Sequence, residues 1–93
     1  MQKENEIQSQ VRDYLRLKNW YVIRNQQGLG SHRGQADLTT VKNGRVIFIE
    51  IKTGKGKLSK HQEKFRDDIL SHGGEYVVIR SLDEIMQWER MTG

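Results

Sequence analysis

The chain has 93 residues, with 16 Lys and Arg against 12 Asp and Glu, a formal net charge of +4, and neither cysteine nor proline. That length supports a single small domain, residues 1–93, with one modest core. The absence of thiols excludes a disulfide framework and a thiolate zinc site, and no apolar run of about 18 residues or leader-like start points to a membrane span or secretion.

The expectation is therefore a soluble protein of the cytoplasm, in a bacterial or phage-infected cell, with an isoelectric point near 9.6 that favours polyanionic partners. Ile7, Val11, Tyr14 and Leu15 recur at helical spacing and predict a first helix from about Lys3 to Lys18, ended by Asn19. Trp20 to Asn25 alternates as a β-rich run, and Gln26 to Gly34 reads as an adaptable loop carrying three glycines. Asn43-Gly44 is the favoured pair for a two-residue type I′ hairpin, which joins a strand over Asp37 to Lys42 with one over Arg45 to Lys52. Gly54 and Gly56 then break the chain before Ser59, whose hydroxyl can cap a helix while Gln62, three residues on, reciprocates; Gly73-Gly74 closes that helix. Glu75 to Arg80 reads as a fourth strand, parallel to the third because a helix connects them. Ser81 and Glu84 repeat the capping box for a last helix, with Leu82, Ile85, Met86 and Trp88 on its buried side.

The hairpin carries chemistry. With a two-residue loop, Lys42 pairs with Arg45, Val41 with Val46 and Thr39 with Phe48, so Asp37 falls opposite Glu50. Like charges directly opposed across a sheet destabilise it, and a divalent cation would convert the repulsion into a binding site. Residues two apart share a face, so Asp37, Glu50 and Lys52 project to one side while Ile47, Ile49 and Ile51 project to the other. Val46 and Phe48 make both faces apolar, the mark of a central, buried strand. Charged groups at the end of such a strand need partners or a metal; a structural ion pair between a carboxylate and Lys52 is the plain alternative.

Gly34-x-x-Asp37, then Glu50-x-Lys52 closing an apolar strand, then Gln62 on the following helix, resembles the PD-(D/E)xK nuclease superfamily, and within it the VRR-NUC (virus-type replication-repair nuclease) group, from Glu6 to about Arg80. Ala36 stands where the superfamily name has proline, a departure that bears on the subfamily and not on the chemistry. The resemblance implies an α/β, restriction-endonuclease-like core in the order α-β-β-β-α-β-α, a mixed sheet flanked by helices. It also implies Mg²⁺- or Mn²⁺-dependent hydrolysis of DNA phosphodiester bonds leaving a 5′-phosphate, on junctions or flaps in replication and repair, by a homodimer. Asp37 and Glu50, with the Ile51 carbonyl oxygen, are hard oxygen ligands for such an ion, and Lys52 can hold the attacking water or meet charge developing on phosphorus. Gln62 either caps its helix or faces the site. Glu6 and Gln10 read as solvated helix residues, which the resemblance raises to site residues. A homodimer also follows from the small core and from Trp88 and Met91, apolar residues that a monomer would struggle to cover.

Arg33, Lys55, Lys57, Lys60 and Lys64 crowd around this site, and those on the Gly54 to Lys60 loop can follow a phosphate backbone without fixed geometry. No glycine stands where a P-loop would need it, and His61 and His72, eleven apart, make no local metal pair. His32 is a possible general base but reads more simply as a solvated loop residue, and Trp20, Tyr21 and Trp88 read as core. Two other functions stay open: a nucleic-acid-binding module without catalysis, and a nuclease of restriction or RNA-processing type.

Overall fold

The structure, a computed structural model, describes residues 2–92. Helix α1 (Glu4–Leu17) leads into β1 (Tyr21–Arg24), β2 (Leu38–Lys42) and β3 (Arg45–Ile51); α2 (Lys60–Ser71), β4 (Glu75–Ile79) and α3 (Leu82–Thr92) follow. The four strands form one sheet in the order β1-β2-β3-β4. The first two pairings are antiparallel, and β3 with β4 is parallel, so the sheet is mixed as expected. No helix among the described residues is long and apolar enough to cross a membrane.

Local chemistry explains the boundaries. Asn19 takes φ +69 at the end of α1, where the Trp20 N–H donates to the Leu15 carbonyl at 2.9 Å and closes the last turn. Gly73, at φ +82, does the same for α2, with the Gly74 N–H donating to the Ile69 carbonyl at 2.8 Å. Asn43 and Gly44 both have positive φ, +52 and +81, which defines the type I′ turn and its register: Lys42 opposite Arg45, Thr39 opposite Phe48 and Leu38 opposite Ile49. The box at Ser81 is offset. Its hydroxyl accepts from the Glu84 N–H at 3.1 Å, but the Glu84 carboxylate reaches past Ser81 to the Arg80 N–H at 2.7 Å.

The sheet buries two unlike faces. On one, Leu38, Ile47, Ile49, Ile51 and Ile79 pack with Ile7, Val11 and Leu15 of α1, Ile85 of α3 and Trp20. On the other, Phe65 of α2 meets Phe48 edge-on at 5.5 Å and Tyr76 at 6.1 Å. Trp88 tilts against Trp20 at 5.6 Å, while Tyr21 is 69% exposed, which corrects its assignment to the core. Alternation marks Tyr21 as a strand residue, but β1 lies at the edge of the sheet and buries only Val22 of its four residues. Glu89, not Met86, is the fully turned-in neighbour of Ile85 on α3: it is buried, accepts from Trp20 Nε1 at 3.3 Å and pairs with Lys42 at 3.5 Å.

Candidate active site

Two strand ends and one helix start converge at the carboxyl end of β3. Glu50 alternates away from the isoleucine face, so it points at α2 and is only 2% exposed. Asp37 lies one residue before β2, in a bend, not inside a strand as its alternation suggests. The ladder stops there because the Asp37 carboxylate itself takes a bond that a backbone carbonyl would otherwise accept: the Ile51 N–H donates to Oδ2 at 2.8 Å. The ladder's last pair is Leu38 with Ile49, and from the next position the Asp37 charge acts on Glu50.

Gln62 links the helix to this pair. Its amide oxygen accepts from the Ser59 N–H at 2.9 Å and its own N–H donates to Ser59 Oγ at 3.2 Å, completing the capping box. Its amide Nε2 donates to Glu50 Oε2 at 3.1 Å. The two readings of Gln62 are thus one arrangement, in which the cap leaves the amide nitrogen pointing at Glu50. Lys52 Nζ lies 3.8 Å from the same Oε2, and Glu50 Oε1 has no hydrogen-bond partner among the described residues.

Burial pushes the Glu50 carboxyl up to about 8, the Asp37 charge pushes the same way, and Lys52 opposes them. The charge-to-charge opposition read from the hairpin is present, with desolvation as the larger cause. A buried carboxylate with one oxygen unpaired among the described residues, beside a second carboxylate, is a set of hard oxygen donors suited to a divalent cation. Among the described residues no three His, Cys, Asp or Glu side chains converge, which leaves two carboxylates here. That count fits Mg²⁺, which is commonly held by one or two carboxylates and otherwise keeps water.

The chain matches the family model described as VRR-NUC domain over residues 3–83. It belongs to the VRR-NUC family. A solved structure described as a VRR_NUC domain matches with a TM-score of 0.85 over 100% of both chains, at 19% identity, which shows a shared fold. No curated protein matches the chain. The α-β-β-β-α-β-α order is therefore that of a VRR-NUC domain, a nuclease-type fold.

The remaining residues singled out from the VRR-NUC resemblance are spread around this centre. Glu6 is exposed on α1 and shares no hydrogen bond with Asp37 or Glu50 among the described residues. Gln10 is half-buried, with its Oε1 unpartnered among the described residues. The α1 residue lining the cleft beside Asp37, of about 540 Å³, is Gln8, together with Arg24, Asn25, Gln26 and Gln27. Lys55, Lys57 and Lys60 are exposed, and no ion pair among the described residues engages them. Arg33 is exposed on the glycine-rich loop, where His32 sits edge-on to Phe65 at 5.6 Å instead of at the carboxylates.

Two residues at the site escaped sequence reasoning. Asn25 clamps the Asp37 segment: its N–H donates to the Asp37 carbonyl at 2.9 Å, and its Nδ2 donates to the Ala36 carbonyl at 3.0 Å and Thr39 Oγ1 at 2.9 Å. Tyr76 has a buried hydroxyl without a partner among the described residues, raised above its ordinary value by burial and then by the charges of Glu50 and Asp37. An asparagine ending a strand and a tyrosine in an apolar run carry no sequence signal that separates them from plain structural residues.

Proposed function

We propose that this VRR-NUC domain is a Mg²⁺- or Mn²⁺-dependent DNA endonuclease, acting on branched DNA such as junctions or flaps. The observation that carries the reading is the unpaired Oε1 of buried Glu50, set beside Asp37. Asp37, Glu50 and the Ile51 carbonyl would hold the ion. When bound, it lowers the pKa of a water molecule and polarises the phosphoryl oxygen. Gln62 fixes Glu50 by one oxygen and leaves the other for the ion. Lys52, a cation close to that carboxylate, orients the attacking water and meets negative charge building on the phosphate. Water oxygen bonds to phosphorus as the bond to the 3′ oxygen breaks, the leaving oxygen takes up a proton, and a 5′-phosphate and a 3′-hydroxyl result. Glu6 and Gln10 fit this scheme only as groups that substrate would bring into play.

A homodimer belongs to the same reading. Met91 is 84% exposed and supports it, whereas Trp88 is already packed against Trp20 and does not. Plasmid nicking in Mg²⁺, in Mn²⁺ and in EDTA, followed by a panel of duplex, flap and four-way-junction DNA and of RNA, tests the activity. Cleavage that needs the metal and favours branched DNA is expected. Binding without cleavage would identify a non-catalytic module, and preference for RNA or for a duplex sequence would identify an RNA-processing or restriction-type enzyme. Light scattering at micromolar concentration should give twice the chain mass.

A further inference from the structure

Between the glycine-rich loop and α2 lies a cleft of about 390 Å³, lined by His32, Arg33, His61, Lys64, Phe65 and Asp68. Four of these side chains bear nitrogen donors, and they come from two segments distant in sequence. The cleft is built, not incidental. Gly34 sits so close to the start of α2 that a Cβ there would lie 2.1 Å from the His61 carbonyl oxygen, and the His32 ring rests on Phe65, itself 8% exposed. Asp68 is the one carboxylate in the lining, and Lys64 Nζ already engages it at 2.8 Å. An ammonium has three donors, so Lys64 can keep that bond and still offer another. Arg33 has no carboxylate partner among the described residues. The lining is thus rich in donors for an anion, and among the described residues no group of three metal-ligating side chains gathers here.

We propose that this cleft seats a phosphate group of a nucleic-acid strand, with Arg33 and Lys64 supplying charge and His32 and His61 further ring nitrogens. His61 precedes Gln62, whose amide holds Glu50, so a phosphate held here lies on the flank of the carboxylate centre and sets how the strand runs past it. That positioning role rests on the nuclease reading; the binding itself does not. A backbone diester and a terminal phosphate present the same anionic oxygens, and either fits.

The chain has three histidines, which report on the cleft in the wild-type protein. Their imidazole signals should be followed by NMR at constant pH in EDTA, while a short single-stranded DNA with a 5′-phosphate, the same strand with a 5′-hydroxyl, or inorganic phosphate is added. His32 and His61 should shift well ahead of His72; equal shifts in all three, or none, would overturn the proposal. Stronger binding of the phosphorylated strand would identify a terminal phosphate, and equal binding a backbone diester. Arg33→Gln with Lys64→Gln, checked for folding by thermal melts, should weaken the strand several-fold and reduce the slope of log affinity against log salt by about 0.7, one phosphate contact on a single strand. Unchanged affinity and slope would also overturn it. Because all of this is read without metal, a failure to cleave DNA would leave the cleft standing, and a silent cleft would leave the nuclease reading standing.

Discussion

Glu50 is buried beside a second carboxylate, and two predictions concern it. Its folded value of about 8 exceeds the ordinary 4.5, so between those pH values the folded chain holds a proton that the unfolded chain has released. Folding therefore takes up a proton in that window. The metal-free protein should lose stability as pH rises from about 4.5 through about 8, by at most about 5 kcal/mol. Melts in EDTA should show it, and Glu50→Gln should flatten the profile. Metal binding near pH 7 should release about one proton, measurable by calorimetry in buffers of different ionisation enthalpy. Asp37→Asn removes the neighbouring charge yet keeps a carbonyl oxygen for the Ile51 N–H. The metal-free variant should be as stable as wild type or better by ~0.5–1 kcal/mol, with cleavage lost because an amide is a poor ligand for a hard ion. Saturating Mn²⁺ should stabilise wild type, roughly 2.7 kcal/mol at a hundred times the dissociation constant, and this variant far less. A clearly destabilised Asp37→Asn would make the carboxylate a structural partner instead.

At the scale of elements, the type I′ hairpin and the capping box of α2 each set one part of the site. Both are short-range devices, which is why the register that brings Asp37 near Glu50 and the double use of Gln62 could be approached from residue order. The meeting of α2 with the loop before β2 is not short-range. It depends on Gly34, at φ +72 with no room for a Cβ. Gly34→Ala should cost more than about 2 kcal/mol, since backbone strain and a clash with the helix add together. Gly28→Ala and Gly30→Ala, also at positive φ but with nothing within 4 Å, should cost about 1 kcal/mol each. Comparable losses at all three glycines in chemical denaturation would mean that the loop is not seated on α2 as described.

For the molecule as a whole, the nuclease reading assigns DNA to the exposed basic loop. Lys55, Lys57 and Lys60 are free of carboxylate partners among the described residues, so each should add about one unit to the salt dependence of duplex binding. Mutating all three to Ala should flatten that slope; weaker binding with the slope unchanged would point to lost shape readout. Much of the molecule was decided by residue order: apolar periodicity, Asn-Gly, Ser-x-x-Gln and Gly-Gly specify the seven elements, the mixed sheet and the placing of Asp37, Glu50, Lys52 and Gln62, because each acts over a few residues or one hairpin. Tertiary packing alone decided the rest. It brought Asn25 to the Asp37 segment, left the Tyr76 hydroxyl unpaired near the carboxylates, put Gln8 rather than Glu6 in the cleft beside Asp37, and turned Glu89 inward to Trp20 and Lys42. The physical reason is common to all four: which polar group loses water, and what it meets there, depends on surfaces that come together only when distant segments pack.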